Sequence, residues 1–239
     1  MNSDNIVSMK LDYNSSTSSF EKLGTWQDNE VKSYYFLKGF AHAKRFPNMQ
    51  KALILARQLH KGQYRKGGQE YLVHPLRVCA YLVSLNLEDD ILLSAALLHD
   101  VVEDVDYIKE FPKALVDEYK LDKEVLNVVL VVTKNIKGMT NRQEELYYEG
   151  VRKNWRALLV KLSDRVNNIS TMQDFSEAKR MQYIEETKEF ILPLCSYGKL
   201  YYPELSNVIT AIKYQLTSIC DSITLISKQY NNPSEPKDE

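Results

Sequence analysis

Residues Ile91 to Val102 read ILLSAALLHDVV, and wound as a helix they are apolar on nearly every side. A helix without a polar face has to be surrounded by protein. Glu88, Asp89 and Asp90 stand just ahead of it, where acids favour a helix start, so this run is expected to be the central helix of the fold. Its most apolar part, Ile91 to Leu98, is interrupted by Ser94 and falls far short of the roughly 18 residues that suggest a membrane span. Other segments must wrap around it.

Those segments are helical too. Met49 to His60 puts Ala52, Leu55, Ala56 and Leu59 on one stripe at spacings of three and four. His74-Pro75 opens a second helix, since proline is tolerated at the first helical position, and the pattern continues through Val78, Tyr81 and Leu82. Further helices are expected near 122–134, 141–153, 155–171, 176–196 and 204–228. The apolar run Val128 to Val132 fits a buried strand on periodicity alone, but its helical neighbours favour a buried helix. Asn-Gly and Asp-Gly turns are missing, and 8 Gly and 7 Pro in 239 residues leave few breaks. The expected fold class is therefore all-α, one compact domain over residues 26–230. Residues 1–25, rich in Ser, Asn and Asp, and residues 231–239 (NNPSEPKDE) are expected to be mobile tails. Neither buries enough apolar area to offset the entropy of ordering.

Lys and Arg number 31 against 32 Asp and Glu, a formal net charge of -1, so bulk electrostatics offer no general attraction to nucleic acid or an anionic membrane. Any phosphate chemistry must come from a local site. Cys79, Cys195 and Cys220 lie far apart with no CxxC spacing, which argues against a disulfide framework or a thiolate zinc site and for a reducing compartment. The N-terminus lacks the basic start and apolar stretch of a signal peptide, so the expected location is cytoplasmic.

Four segments carry chemistry. The central helix ends in HDVVEDVD, placing Asp100, Glu103, Asp104 and Asp106 where the helix dipole disfavours acids by some tenths of a kcal/mol each. At 3.6 residues per turn, His99 lies beneath Glu103 and Asp100 beneath Asp104, so the helix end can present a nitrogen and several oxygens to a cation, or be a solvated acidic end. His74, three residues after Tyr71, sits at a stiff helix start and alone reads more readily as a core or capping histidine. Asp164 and Asn168 follow the apolar Ala157 to Val160 at an i, i+4 spacing; an acid so close to an apolar run is a ligand or is buried with a partner, and a surface helix would also explain it. HKGQYRKGGQEY, residues 60–71, sets Lys61, Arg65 and Lys66 among glycines, a turn that can bring guanidinium, ammonium and N–H groups onto phosphate, although basic surface loops are common.

Taken in order, these segments resemble the HD-domain hydrolases of the RelA/SpoT family, which remove the 3′-pyrophosphate from the alarmone (p)ppGpp. The resemblance runs from Met49 to Cys195, through AxxLHKGQYRKGGQEYLVHPLRV, AALLHDVVEDV, VTK, LLVKLSDRVNNISTM and ETKEFILPL. It implies that His74, His99, Asp100 and Asp164 are metal ligands, usually for Mn²⁺, and that Glu103 and Asp104 are the catalytic acid pair. It further implies that Arg65 and Lys66 contact phosphate, that Tyr71 and Asn168 line the nucleotide pocket, and that His60 is structural. Imidazole and carboxylate donors without thiolate also suit Fe²⁺ or Zn²⁺. The partner expected is a nucleotide, with no nucleic acid and no membrane.

Where the family commonly reads ADRLHNMRTL, this chain has Asn167 for the histidine and Ser170 for the arginine, and its loop reads RKGGQEY where RKSGEPY is common. Loss of an arginine removes a bidentate phosphate contact. Too few residues follow Leu200 for the synthetase of long family members, so the expectation is a small stand-alone hydrolase. Two alternatives go with it: the same chemistry on another 3′-phosphorylated nucleotide, such as an adenine alarmone or a phosphorylated dinucleotide cofactor, and an idle domain that binds nucleotide or protein.

Overall fold

The computed structural model describes residues 28–134 and 144–231. Its helices in chain order are α1 (Asp28–Ala43), α2 (Pro47–Leu59), α3 (Val73–Ser84), α4 (Asp90–Leu98), α5 (Val101–Asp104), α6 (Asp106–Glu110), α7 (Ala114–Asp117), α8 (Lys123–Val132), α9 (Glu144–Lys153), α10 (Trp155–Ser170), α11 (Glu177–Glu186), α12 (Leu192–Tyr201) and α13 (Ser206–Asn231). A π-helical turn, Thr187–Ile191, joins α11 to α12, and a 3₁₀ turn, Pro203–Leu205, precedes α13. Among the described residues the only β pairing is an isolated antiparallel bridge between Tyr64 and Glu70. The all-α expectation holds. The tails expected at 1–25 and 231–239 lie outside the described residues, apart from Asn231 at the end of α13, as do the first residues of the helix expected near 141.

Helix α4 is the centre of the core. Every residue from Leu92 to Leu98 is fully buried, against α2, α3, α8 and α10, and each leucine so buried contributes roughly 1.5–3 kcal/mol. The acids ahead of it divide their work. Asp89 caps α4, accepting from the Leu92 N–H at 2.7 Å, and holds the Arg156 guanidinium through two bonds of 2.8 Å. Asp90 reaches back to α2 and accepts from the N–H groups of Asn48 at 3.1 Å and Met49 at 2.7 Å, a service Phe46 at the cap position cannot give.

The central helix stops earlier than its apolar pattern predicts. It breaks at His99 and Asp100, and the chain resumes as the single turn α5. The Glu103 and Asp104 N–H groups both bond the Asp100 carbonyl, at 3.0 and 2.9 Å, so the stacking of Asp104 over Asp100 survives while that of Glu103 over His99 does not. Consecutive helical residues point about 100° apart; the break lets His99 and Asp100 face one point.

The remaining elements follow their patterns. Residues 123–132 are a helix rather than a strand, burying Val125, Val128, Val129 and Val132 as one stripe. The helix expected over 176–196 is α11 and α12 with the π turn between them. Pro193, in the first turn of α12, has no N–H to give the carbonyl four residues back, and the wider turn lies just ahead of it. Helix α1 was not foreseen, because exposed Tyr35 and Phe36 mask the buried Tyr34, Leu37 and Ala41. Cys79, Cys195 and Cys220 are free thiols, all buried. No helix among the described residues is long and apolar enough to cross a membrane.

Candidate metal centre

Four side chains from three elements meet beside the α4–α5 break. His74 comes from the first turn of α3, His99 and Asp100 from the break, and Asp164 from the middle of α10. The two histidine Nε2 atoms lie 3.2 Å apart. Asp164 Oδ1 is 3.2 Å from His74 Nε2 and 3.7 Å from His99 Nε2, and Asp100 Oδ2 is 3.5 and 3.2 Å from the same atoms. Ligands about 2.1 Å from one ion stand roughly 3.0 Å apart in an octahedron and 3.4 Å apart in a tetrahedron. His74, His99 and Asp164 offer ligand atoms close enough together to share one small divalent cation, and Asp100 stands beside both imidazoles.

The hydrogen bonds behind the rings make the same point. His74 Nδ1 faces the Asn167 side-chain oxygen at 2.7 Å, and His99 Nδ1 faces the Ala96 carbonyl at 2.9 Å. Both acceptors require a proton on Nδ1, which leaves each neutral ring with a bare Nε2 lone pair aimed at the other and at two carboxylates. Buried electron-rich groups hold such positions only around a positive charge. A proton can supply it: burial opposes an imidazolium at His99, but the carboxylates of Asp100 and Asp164 outweigh burial and raise that ring to about 9. Burial pushes both carboxyls up, yet His99 and His74 hold Asp100 below the usual range, and Lys161 with the two imidazoles holds Asp164 well below it. The donor set fits a divalent metal.

The two acids of α5 have different neighbours. Glu103 accepts from the Lys134 backbone N–H and shares a polar cavity with His99, Asp100 and Asp164. Asp104 is exposed, and its backbone carbonyl accepts from Gln63 at 2.8 Å. Gln63 in turn accepts from His60 Nδ1 at 2.7 Å, and the His60 ring stacks on Tyr71 at 4.9 Å.

The basic loop is a tight hairpin. The Arg65 N–H bonds the Gln69 carbonyl at 2.8 Å, the Gly68 N–H bonds the Arg65 carbonyl at 2.9 Å, and Gly68 takes the φ of +79° that the turn requires. A side chain at Gly67 would run into the Asp174 carboxylate. Arg65 donates to Asn168 Oδ1 at 2.8 Å and approaches Thr171 Oγ1 at 3.4 Å. Asn168 passes its amide to Asp164 Oδ1 at 2.6 Å, so the guanidinium is linked to the metal centre through one side chain. Lys66 instead lies over the Phe175 ring, 5.5 Å from its centroid. Tyr71 gives its hydroxyl to Asp100 Oδ2 at 2.7 Å, and burial followed by the Asp100 and Asp104 carboxylates raises its pKa. It therefore orients a candidate ligand.

Sequence reasoning missed Asn167 and Lys161. Asn167 was marked only as a departure, yet it is the acceptor that orients His74. Ser170 gives its hydroxyl to the Val166 carbonyl at 2.6 Å and is exposed, whereas Asn168 and Thr171 turn toward Arg65.

An all-helical core that brings two imidazoles and the Asp164 carboxylate together, with Asp100 beside them, presents a His/Asp site of the kind that can hold a metal ion. The chain belongs to the HD domain family, whose model matches residues 52–195. Among curated proteins it is similar to the guanosine-3′,5′-bis(diphosphate) 3′-pyrophosphohydrolase of Haemophilus influenzae, 31% identical over 169 residues, covering 68% of this chain and 24% of that protein. It is 36% identical over 150 residues to the enzyme of the same name from Aquifex aeolicus, covering 61% and 21%, and 35% identical over 158 residues to the GTP pyrophosphokinase of Myxococcus xanthus, covering 62% and 20%. The chain thus spans a quarter or less of the length of these relatives. Among solved structures it resembles a metazoan SpoT ortholog described as hydrolysing ppGpp, with a TM-score of 0.57 and 25% identity over 74% of this chain and 95% of that one.

Proposed function

We propose that the chain is a metal-dependent guanosine-3′,5′-bis(diphosphate) 3′-pyrophosphohydrolase, converting (p)ppGpp to GDP or GTP and pyrophosphate. The observation that carries this reading is the convergence of His74, His99, Asp100 and Asp164 within 3.7 Å contacts beside an acid pair and an arginine linked to the same centre. These four residues would hold the ion, with Mn²⁺ favoured by the resemblance and Fe²⁺ or Zn²⁺ also suited to the donors. A bound divalent ion lowers the pKa of water and polarises phosphate oxygens.

The chain's own residues do the rest. Glu103, fixed by the Lys134 N–H, and Asp104, near the Tyr71 hydroxyl, orient the attacking water and accept its proton. The water oxygen bonds the phosphorus attached to the ribose 3′ oxygen. The bond from that phosphorus to the ribose oxygen breaks, and the ribose leaves with its hydroxyl reprotonated. Arg65, braced by Asn168 and Thr171, offsets phosphate charge through charge-assisted bonds, with Lys66 beside it. Tyr71 and Asn168 orient Asp100 and Asp164. A cytoplasmic location fits three thiols that are free and buried.

A second reading keeps the chemistry and changes the nucleotide. Its motive is the departure of the basic loop from the common pattern, where Gly67 stands beside the exposed Asp174 side chain. Purified protein with Mn²⁺ decides between them in a screen of 3′-phosphorylated nucleotides that measures both phosphate and pyrophosphate. Pyrophosphate from (p)ppGpp is the expected result. Faster release from an adenine alarmone or from a 3′-monophosphate selects the second reading, and no release at full metal occupancy rejects both.

A further inference from the structure

The centre opens into a cavity of about 120 Å³ whose walls include Glu103, Lys134, Tyr147 and Lys161 as well as His99, Asp100 and Asp164. Arg65 and Lys66 are not among its walls, so it is separate from the basic loop. That space admits one tetrahedral phosphoryl group.

Lys161 is the more enclosed of the two, with 18% of its side chain exposed, and its ammonium lies 3.2 Å from Asp164 Oδ2. An ammonium has three donors. Asp164 takes one and the Tyr147 hydroxyl is a second neighbour, which leaves a donor for the cavity. Lys134 has its ammonium paired with Glu144 and gives its backbone N–H to Glu103, so it is the less available cation. A divalent ion at the centre adds positive charge beside Lys161, so an anion binds the metal-loaded protein more tightly than the metal-free one.

We propose that this cavity seats the terminal phosphoryl group of the scissile pyrophosphate and that Lys161 is the cation that binds it, an inference that rests on the 3′-pyrophosphohydrolase reading. The phosphorus under attack then lies at the centre, the nucleoside extends along Arg65 and Asn168, and the outer phosphate enters from the opposite side. One phosphoryl group fits beyond the bond that breaks.

Equilibrium dialysis of radiolabelled inorganic phosphate against the full chain, metal-free and Mn²⁺-loaded, tests this without turnover. Phosphate should bind the loaded protein more tightly than the metal-free one. Lys161→Met should weaken it by about tenfold or more, the value of one charge-assisted bond, at unchanged metal content, and Lys161→Arg, which keeps the charge, should retain part of the affinity. Wild-type affinity in Lys161→Met overturns the proposal, as does loss of metal in step with loss of phosphate in both variants, which would make Lys161 a structural partner of Asp164. Should no nucleotide be cleaved while phosphate binding still depends on Lys161, the hydrolase reading falls and the anion cavity stands.

Discussion

His74 and His99 point their Nε2 atoms at each other across 3.2 Å while each Nδ1 is committed to an oxygen acceptor. Two imidazoles so arranged cannot hydrogen-bond to each other when both are neutral, and they need a shared cation or a proton. In the metal-free chain the proton resides on His99, whose ring is raised from its ordinary 6.5 to about 9 by Asp100 and Asp164 against the opposing effect of burial. Its contribution to metal-free stability is complete below pH 6.5 and is lost as pH rises through 9. Metal affinity runs the other way, because the ion has to displace that proton. Mn²⁺ affinity should rise about tenfold per pH unit up to pH 9, with roughly one proton released per ion. Calorimetric titration in two buffers of different ionisation enthalpy counts the protons. Affinity independent of pH between 6.5 and 9 would contradict the assignment.

Asn167 should matter nearly as much as a ligand. Asn167→Ala removes the acceptor that keeps the His74 proton on Nδ1, and such outer partners typically contribute 10–100-fold in metal affinity. The loss should appear in a chelator competition assay with little change in Tm. Asn167→Asp supplies a stronger acceptor and should match or exceed the native affinity.

Turnover should separate the acid pair from the ligands. Glu103→Gln keeps an oxygen for the Lys134 N–H, and Asp104→Asn keeps side-chain volume at an exposed position, so neither disturbs the fold. Each removes a base and should lower turnover by about a hundredfold or more, the usual scale of acid–base assistance, at unchanged metal content. Metal lost in proportion to activity would make them ligands.

Particular residues show what was legible in the chain and what was not. The apolar run from Ile91 identified α4; His99, Asp100, His74 and Asp164 stood out beside apolar segments, but the residues alone left capping, core or surface roles open, and it was the family resemblance that grouped them as ligands. Where α4 ends was not readable: helix periodicity carries Val101 and Val102 onward, and only the demand that two consecutive side chains face one point breaks the helix. Asn167 and Lys161 were missed for a related reason. Their roles depend on what α3 and α9 bring opposite α10, and no spacing within α10 reports that. The significance given to Ser170 came from comparing letters, whereas its exposed, back-bonded hydroxyl leaves Arg65 to Asn168 and Thr171.

The stability of the core start rests on Asp89, which serves two helices at once. Its carboxylate caps α4 through the Leu92 N–H and holds Arg156, at the beginning of α10, by two bonds of 2.8 Å. Both side chains are about a quarter exposed, so solvent screens the pair and the cap is the larger share. Asp89→Ala should cost about 1–2 kcal/mol, a fall in Tm of roughly 2–8 °C for a domain of this size. Burial works to raise this carboxyl, but Arg156 and the Leu92 N–H overcome it and hold it below the ordinary 3.8. A depressed carboxyl stabilises the fold fully above its unfolded value and ceases to do so as pH falls through the folded one. The Tm gap between wild type and Asp89→Ala should therefore be constant from neutral pH down to about 4 and narrow below 3.8. Melting curves of both proteins across that range decide it, and a gap that widens on acidification would assign the stabilisation to the α4 interior rather than to this carboxylate.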